Sequence, residues 1–215
     1  MIMKCKLYCF LPVLLFCATG LQAQLGIKAG LNIANEINSF SSSDIKAGFK
    51  STNLTGYQIG LVYQAMPKKS GFGAEIGAII SQKGSTFSDS VNFAGVIKQG
   101  YKELNYIEVP LNLRYRLSLG ILGLYGFAGI YGGYALNGKT VNETTNEIQN
   151  ETYAGFMNHV DYGYNFGAGV ELFRKIQLGT TLSQGIKNTS TAITGVPTPS
   201  TATNKVYTVN LVYLF

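Results

Sequence analysis

The sequence predicts an all-β fold: an eight-stranded antiparallel up-and-down transmembrane β-barrel preceded by a cleaved signal peptide. Three observations predict it. The last nine residues, Tyr207-Thr208-Val209-Asn210-Leu211-Val212-Tyr213-Leu214-Phe215, alternate strictly, and every second one is large and apolar. At the other end a short apolar run follows two lysines. Between them lie alternating segments whose connections are short and long in turn.

The N-terminal run goes from Leu7 to Ala18 behind Lys4 and Lys6, and Ala23 offers a small residue for cleavage. It is shorter than the roughly 20 residues of a spanning helix and has the length of a secretory hydrophobic region. The chain therefore divides into a signal peptide, 1–23, and a barrel domain, 24–215. A lipoprotein signal would use Cys17, but Phe16 stands where a small residue is needed. Cys5, Cys9 and Cys17 are all 3 cysteines of the chain, so the mature protein has no disulfide, thiol nucleophile or cysteine metal site. The formal charge falls from +6 to +4 as Lys4 and Lys6 leave. So mild an excess, with no basic cluster beyond Lys68-Lys69, does not argue for nucleic acid, and no nucleic-acid partner is expected. Charged residues make up only 13% of the chain, about half the share of a soluble domain.

The eight segments are 25–34, 54–66, 71–84, 101–117, 121–136, 161–173, 176–188 and 205–215. Short connections fall at Pro67–Ser70, Ser118–Gly120 and Arg174–Lys175. Long ones, rich in Ser, Thr and Asn, fall at Asn35–Asn53, Ser85–Gly100, Asn137–Val160 and Thr189–Asn204. An even strand count with short and long turns at opposite ends is the outer-membrane arrangement. Both termini then lie in the periplasm. Tyr213 and Phe215 on the last strand are read as the signal recognised by the barrel-assembly machinery.

Charge position sharpens this reading, because successive side chains of a strand point to opposite faces. One parity is uncharged throughout: Leu25, Ile27, Leu31 and Ile33 in the first segment, Ile107, Val109, Leu111 and Leu113 in the fourth, Tyr162, Tyr164, Phe166 and Val170 in the sixth. Lys28, Glu75, Lys83, Lys102, Glu108, Arg114, Arg116, Asp161 and Glu171 all have the other parity. A Lys or Arg facing mid-bilayer lipid costs about 2–4 kcal/mol, which explains the segregation. The fifth segment is apolar in both parities and its faces stay unassigned. A lipocalin-like soluble barrel would invert the faces. Against that, the polar face holds Gly26, Gly30, Gly60, Gly73, Gly77, Gly163, Gly167, Gly169, Gly179 and Gly185, which suit a crowded interior better than a solvated surface. Tyr57, Tyr101, Tyr162 and Tyr207 fall near the loop ends of their strands and Tyr63, Tyr115 and Tyr213 near the turn ends, as two interfacial bands.

The stretch Leu25-Gly-Ile-Lys-Ala-Gly-Leu-Asn-Ile-Ala-Asn35 resembles the first strand of the small outer-membrane β-barrel proteins labelled PorT-like or porin-family. Leu104-Asn-Tyr-Ile-Glu-Val-Pro-Leu-Asn-Leu-Arg-Tyr115 is similar to that family's aromatic–Ile–Glu–aliphatic–Pro strand. The resemblance covers nearly all of 24–215 and implies the fold and the outer membrane of a Gram-negative bacterium. It is nearly silent on activity. One namesake is implicated in protein secretion, so cell-surface or secretion partners are implied by analogy only. Outer-membrane lipid is the implied surrounding.

No catalytic set is found. His159, the sole His, is followed two positions later by Asp161 rather than Ser, and no nucleophile can be assigned to it. Asp89, Glu143, Glu147 and Glu151 lie in loops and read as a solvated face. No cofactor is expected. Pro110 lies inside a strand although it cannot donate to a ladder, which predicts a bulge or a missing bond. The interior of an eight-stranded barrel is about wide enough for side chains alone. Lys28, Glu75, Glu108, Arg114, Arg116 and Glu171 are therefore expected to form a lumen ion cluster. The resulting reading is a non-enzymatic barrel with a plugged polar interior, acting through its external loops. A small-solute porin, a lipid-modifying barrel enzyme and a soluble lipocalin-like binder are the alternatives.

Overall fold

A computed structural model describes residues 21–39, 49–89, 98–143, 146–150, 159–187 and 201–215. The expected signal peptide lies outside the described residues up to position 20. Nine strands follow in order: β1 (Leu21–Ser39), β2 (Phe49–Pro67), β3 (Gly71–Asp89), β4 (Lys98–Leu119), β5 (Leu122–Asn142), β6 (Glu147–Asn150), β7 (Val160–Leu172), β8 (Ile176–Gly185) and β9 (Thr201–Leu214). Each pairs antiparallel with its neighbours, and the β1–β9 and β4–β5 pairings close the sheet. The four-residue β6 only extends the loop end of β5, where it pairs with Lys139–Asn142. Eight strands thus form the barrel wall.

The strands are staggered. Stepping through paired residues from Leu25 leads to Tyr63, Ile76, Leu111, Ile130, Tyr164, Gln184 and Lys205, and returns to β1 at Asn35. The circuit gains ten residues (Leu25 to Asn35) over eight strands, the shear that strand tilt imposes on a closed barrel. Residues at one height are therefore offset by little more than one position per strand.

The side-chain period of two decides which face is buried. On β1, Leu31 is 64% exposed while its neighbour Asn32 is 0% exposed. The uncharged parity points outward on every barrel strand, from Leu25 to Phe215, and the charged parity points in. The faces left open in the fifth segment resolve the same way. Leu122, Leu124, Gly126, Ala128 and Ile130 face out, while Gly123, Tyr125, Tyr131 and Gly133 face in. Tyr125 fits because β7 and β8 offer no side chains there: a Cβ on Gly169 would fall 2.6 Å from its ring.

Five strands outrun the segments read from alternation. β1 to β5 span 19 to 22 residues. Above the apolar belt the ladders continue through Ser-, Thr- and Asn-rich stretches such as Ser85–Asp89. Backbone pairing needs no apolar face, so periodicity misses this part. The short turns are tight: Gly120 (φ 80°) closes β4–β5, and Phe173 (φ 53°) and Arg174 (φ 57°) close β7–β8 in the left-handed region. Pro110 breaks the β3–β4 ladder, which passes from Ile76↔Leu111 to Ile79↔Glu108 in unchanged register. The missing donor removes a bond without forming a bulge.

Candidate functional site

Two networks of paired charges fill the lumen. The first lies toward the short turns and centres on Glu75 of β3. Its carboxylate forms an ion pair with Arg114 of β4 and accepts hydrogen bonds from Gln64 Nε2 (2.6 Å) and Asn112 Nδ2 (2.9 Å). Gln64 and Gln177 join β2 to β8 across the barrel through reciprocal amide bonds of 3.0 and 2.9 Å. Gln177 also donates to Glu171 (2.7 Å), which pairs with Arg116 at 3.0 Å. Arg116 further donates to the Pro67 carbonyl. The Arg114 guanidinium lies 4.2 Å from the centroid of the Tyr125 ring, a cation–π contact that covers its remaining face. A charge buried alone is costly, and this arrangement leaves each carboxylate with a cation and amide donors.

The second network lies toward the loops. Lys83 of β3 pairs with Glu108 of β4 and, at 3.3 Å, with Asp161 of β7. Asp161 also accepts from Asn204 Nδ2 (3.0 Å) and from the Tyr131 hydroxyl (3.3 Å). The Lys83 ammonium sits 4.5 Å from the Tyr131 ring centroid and 5.2 Å from that of Tyr106.

Of the six charges expected to cluster, the structure brings Glu75, Arg114, Arg116 and Glu171 together. Glu108 belongs instead to the second network, because it lies six positions toward the loop end of β4 from Arg114, beyond the reach of that group. Lys28 points inward and is 6% exposed, yet it makes no hydrogen bond or ion pair among the described residues. Sequence reasoning missed Gln64, Asn112, Gln177, Tyr131 and Asn204 as network members. All stand at inward parity in their strands, so the signal was present, but neutral side chains do not announce burial.

The other candidates sit elsewhere. His159 Nδ1 contacts the Ala135 carbonyl at 2.8 Å, and its ring stacks on Tyr134. Glu143 is exposed, whereas Glu151 lies outside the described residues. Among the described residues no group of three or more His, Cys, Asp or Glu side chains gathers to hold a metal. Tyr213 and Phe215 both face outward and meet edge to face with centroids 5.5 Å apart. Phe215 N donates to the Leu25 carbonyl at 2.9 Å, tying this end to β1.

Residues 19–191 match the family described as outer membrane protein beta-barrel domain. Comparison with curated proteins gives no match. Among solved structures, the chain is similar to the outer membrane protein OprG of Pseudomonas aeruginosa (14% identity, 91% of this chain and 97% of that one, TM-score 0.51). It is also similar to Ail, the attachment invasion locus protein of Yersinia pestis (13% identity, 90% and 99%, TM-score 0.45). A third is Neisserial surface protein A (6% identity, 90% and 99%, TM-score 0.45). At these identities the likeness is one of fold.

Proposed function

The chain belongs to the outer membrane protein beta-barrel domain family, and from that premise we propose that it is a non-enzymatic barrel with a closed lumen, acting as a scaffold for its external loops. It resides in the outer membrane. In this reading both termini face the periplasm, the long connections face outward, and the barrel-assembly machinery recognises the closing strand. The narrower likeness to PorT-like barrels, carried by Leu25–Asn35 and Leu104–Tyr115, belongs to the same reading, as do surface or secretion partners.

The observation that carries it is the cross-lumen pairing. Glu75, Arg114, Gln64 and Gln177 come from four strands and bond to one another across an interior about as wide as their side chains. Such a core stabilises the barrel and obstructs solute flow. Purified protein in planar bilayers is expected to give no steady unit currents. Stable single-channel currents from the wild type would replace this reading with that of a small-solute pore.

A further inference from the structure

We propose that the plug is two seals in series, enclosing a hydrated polar chamber at the level of Lys28. This rests on the closed-lumen reading and deepens it. The stagger of the strands sets the levels: partners such as Gln64 and Gln177, or Lys83 and Asp161, come out at matching heights. By the same rule Lys28 on β1 is level with Val62 on β2, Asn112 on β4, Gly167 on β7, Gly179 on β8 and Asn210 on β9 and falls between Phe127 and Gly129 on β5, with Thr181 and Asn165 above. β1 and β5 are opposite in the eight-stranded circuit, so Lys28 faces Phe127 and Gly129. On β3, β7 and β8, Gly77, Gly167 and Gly179 add no side chains to this layer.

What sets the layer apart is Lys28, a buried ammonium without an ion pair among the described residues, whereas polar atoms without hydrogen-bond partners occur in the seals as well, at Asp161 Oδ1 above and Arg116 Nε below. Thr181 and Asn210 bond to each other at 3.1 Å. The Lys28 ammonium has no partner within bonding distance among the described residues. Asn112 Oδ1, Asn165 Oδ1 and Arg114 Nε are buried without hydrogen-bond partners. Buried polar groups are rarely left unmet, and a water needs two to four polar partners, which this layer supplies as both donors and acceptors. Water is thus the ligand of the chamber. It accepts from Lys28 and Arg114 and donates to the two asparagine oxygens. Below it Glu75 and Arg114 close the lumen, and above it Lys83, Glu108 and Asp161 do so.

A cysteine at position 28 tests this. The chain's own cysteines, Cys5, Cys9 and Cys17, all lie within the signal sequence, so position 28 would be the only thiol of the processed barrel. In detergent, Lys28→Cys should label slowly with a charged methanethiosulfonate reagent. Adding Glu75→Ala with Arg114→Ala, or Lys83→Ala with Glu108→Ala, should each speed labelling at least tenfold. Neither paired variant should conduct in planar bilayers, whereas the combination of both should. Currents from either paired variant alone would overturn the two-seal inference while leaving the closed wild-type lumen intact. Currents from the wild type would overturn both. Labelling unchanged in the paired variants would remove the chamber. Heat-modifiable gel migration establishes which variants fold. Should they fail, the wild type still decides: water-to-protein magnetisation transfer in NMR should reach the side-chain amides of Asn112 and Asn165 but not those of Gln64 and Gln177. Its absence at both asparagines would overturn the proposal.

Discussion

Glu75 is the carboxylate on which three donors of the first lumen network converge. Arg114, Gln64 and Asn112 all direct donors at its two oxygens. Glu75→Ala strands the Arg114 guanidinium in the lumen without its counter-charge. The expected cost is about 3–5 kcal/mol, read as a lower urea midpoint of the folded barrel. Replacing both partners by apolar residues of similar volume should cost less than the single change, because no lone charge remains. A single and a double variant of equal stability would show that the pair contributes nothing specific. At this scale the sequence was informative about which side chains are buried, since parity alone turns Glu75, Arg114, Arg116 and Glu171 inward. It was not informative about grouping. The six positions between Glu108 and Arg114 on one strand are legible, but whether Glu108 meets Lys83 of β3 depends on the stagger between strands, and alternation within one strand carries no trace of that stagger.

The strand β4 shows how an element is specified from both sides. Val109, Leu111 and Leu113 face lipid while Asn112, Arg114 and Arg116 meet partners inside. Leu111→Arg should cost about 2–4 kcal/mol in a bilayer, measured by unfolding in lipid vesicles. No loss there would mean that the outer face is not in hydrocarbon. The closing strand β9 exposes Tyr213 and Phe215 beside β1. Replacing both with Ala is expected to lower the amount of heat-modifiable barrel in the outer membrane while leaving export to the periplasm unchanged. Undiminished assembly would exclude them as the recognition signal. Strand existence was legible wherever one face is apolar and the other polar. The fifth segment resisted because Tyr125 and Tyr131 present aromatic rings to lumen cations, so its inner face reads as apolar too. The loop-end extensions resisted for the opposite reason, both faces there being polar.

In the whole molecule the apolar face is outside, in lipid, and the paired charges are the core. A soluble barrel has the same alternation with the faces reversed, so orientation separates the two folds. Single cysteines from position 109 to 114, each carrying a nitroxide in lipid vesicles, measure it directly through collision with oxygen, which concentrates in hydrocarbon. High oxygen accessibility is expected at 109, 111 and 113 and low accessibility at 110, 112 and 114. The reverse periodicity, or a uniformly low accessibility with water-soluble reagents reaching the odd positions, would contradict it.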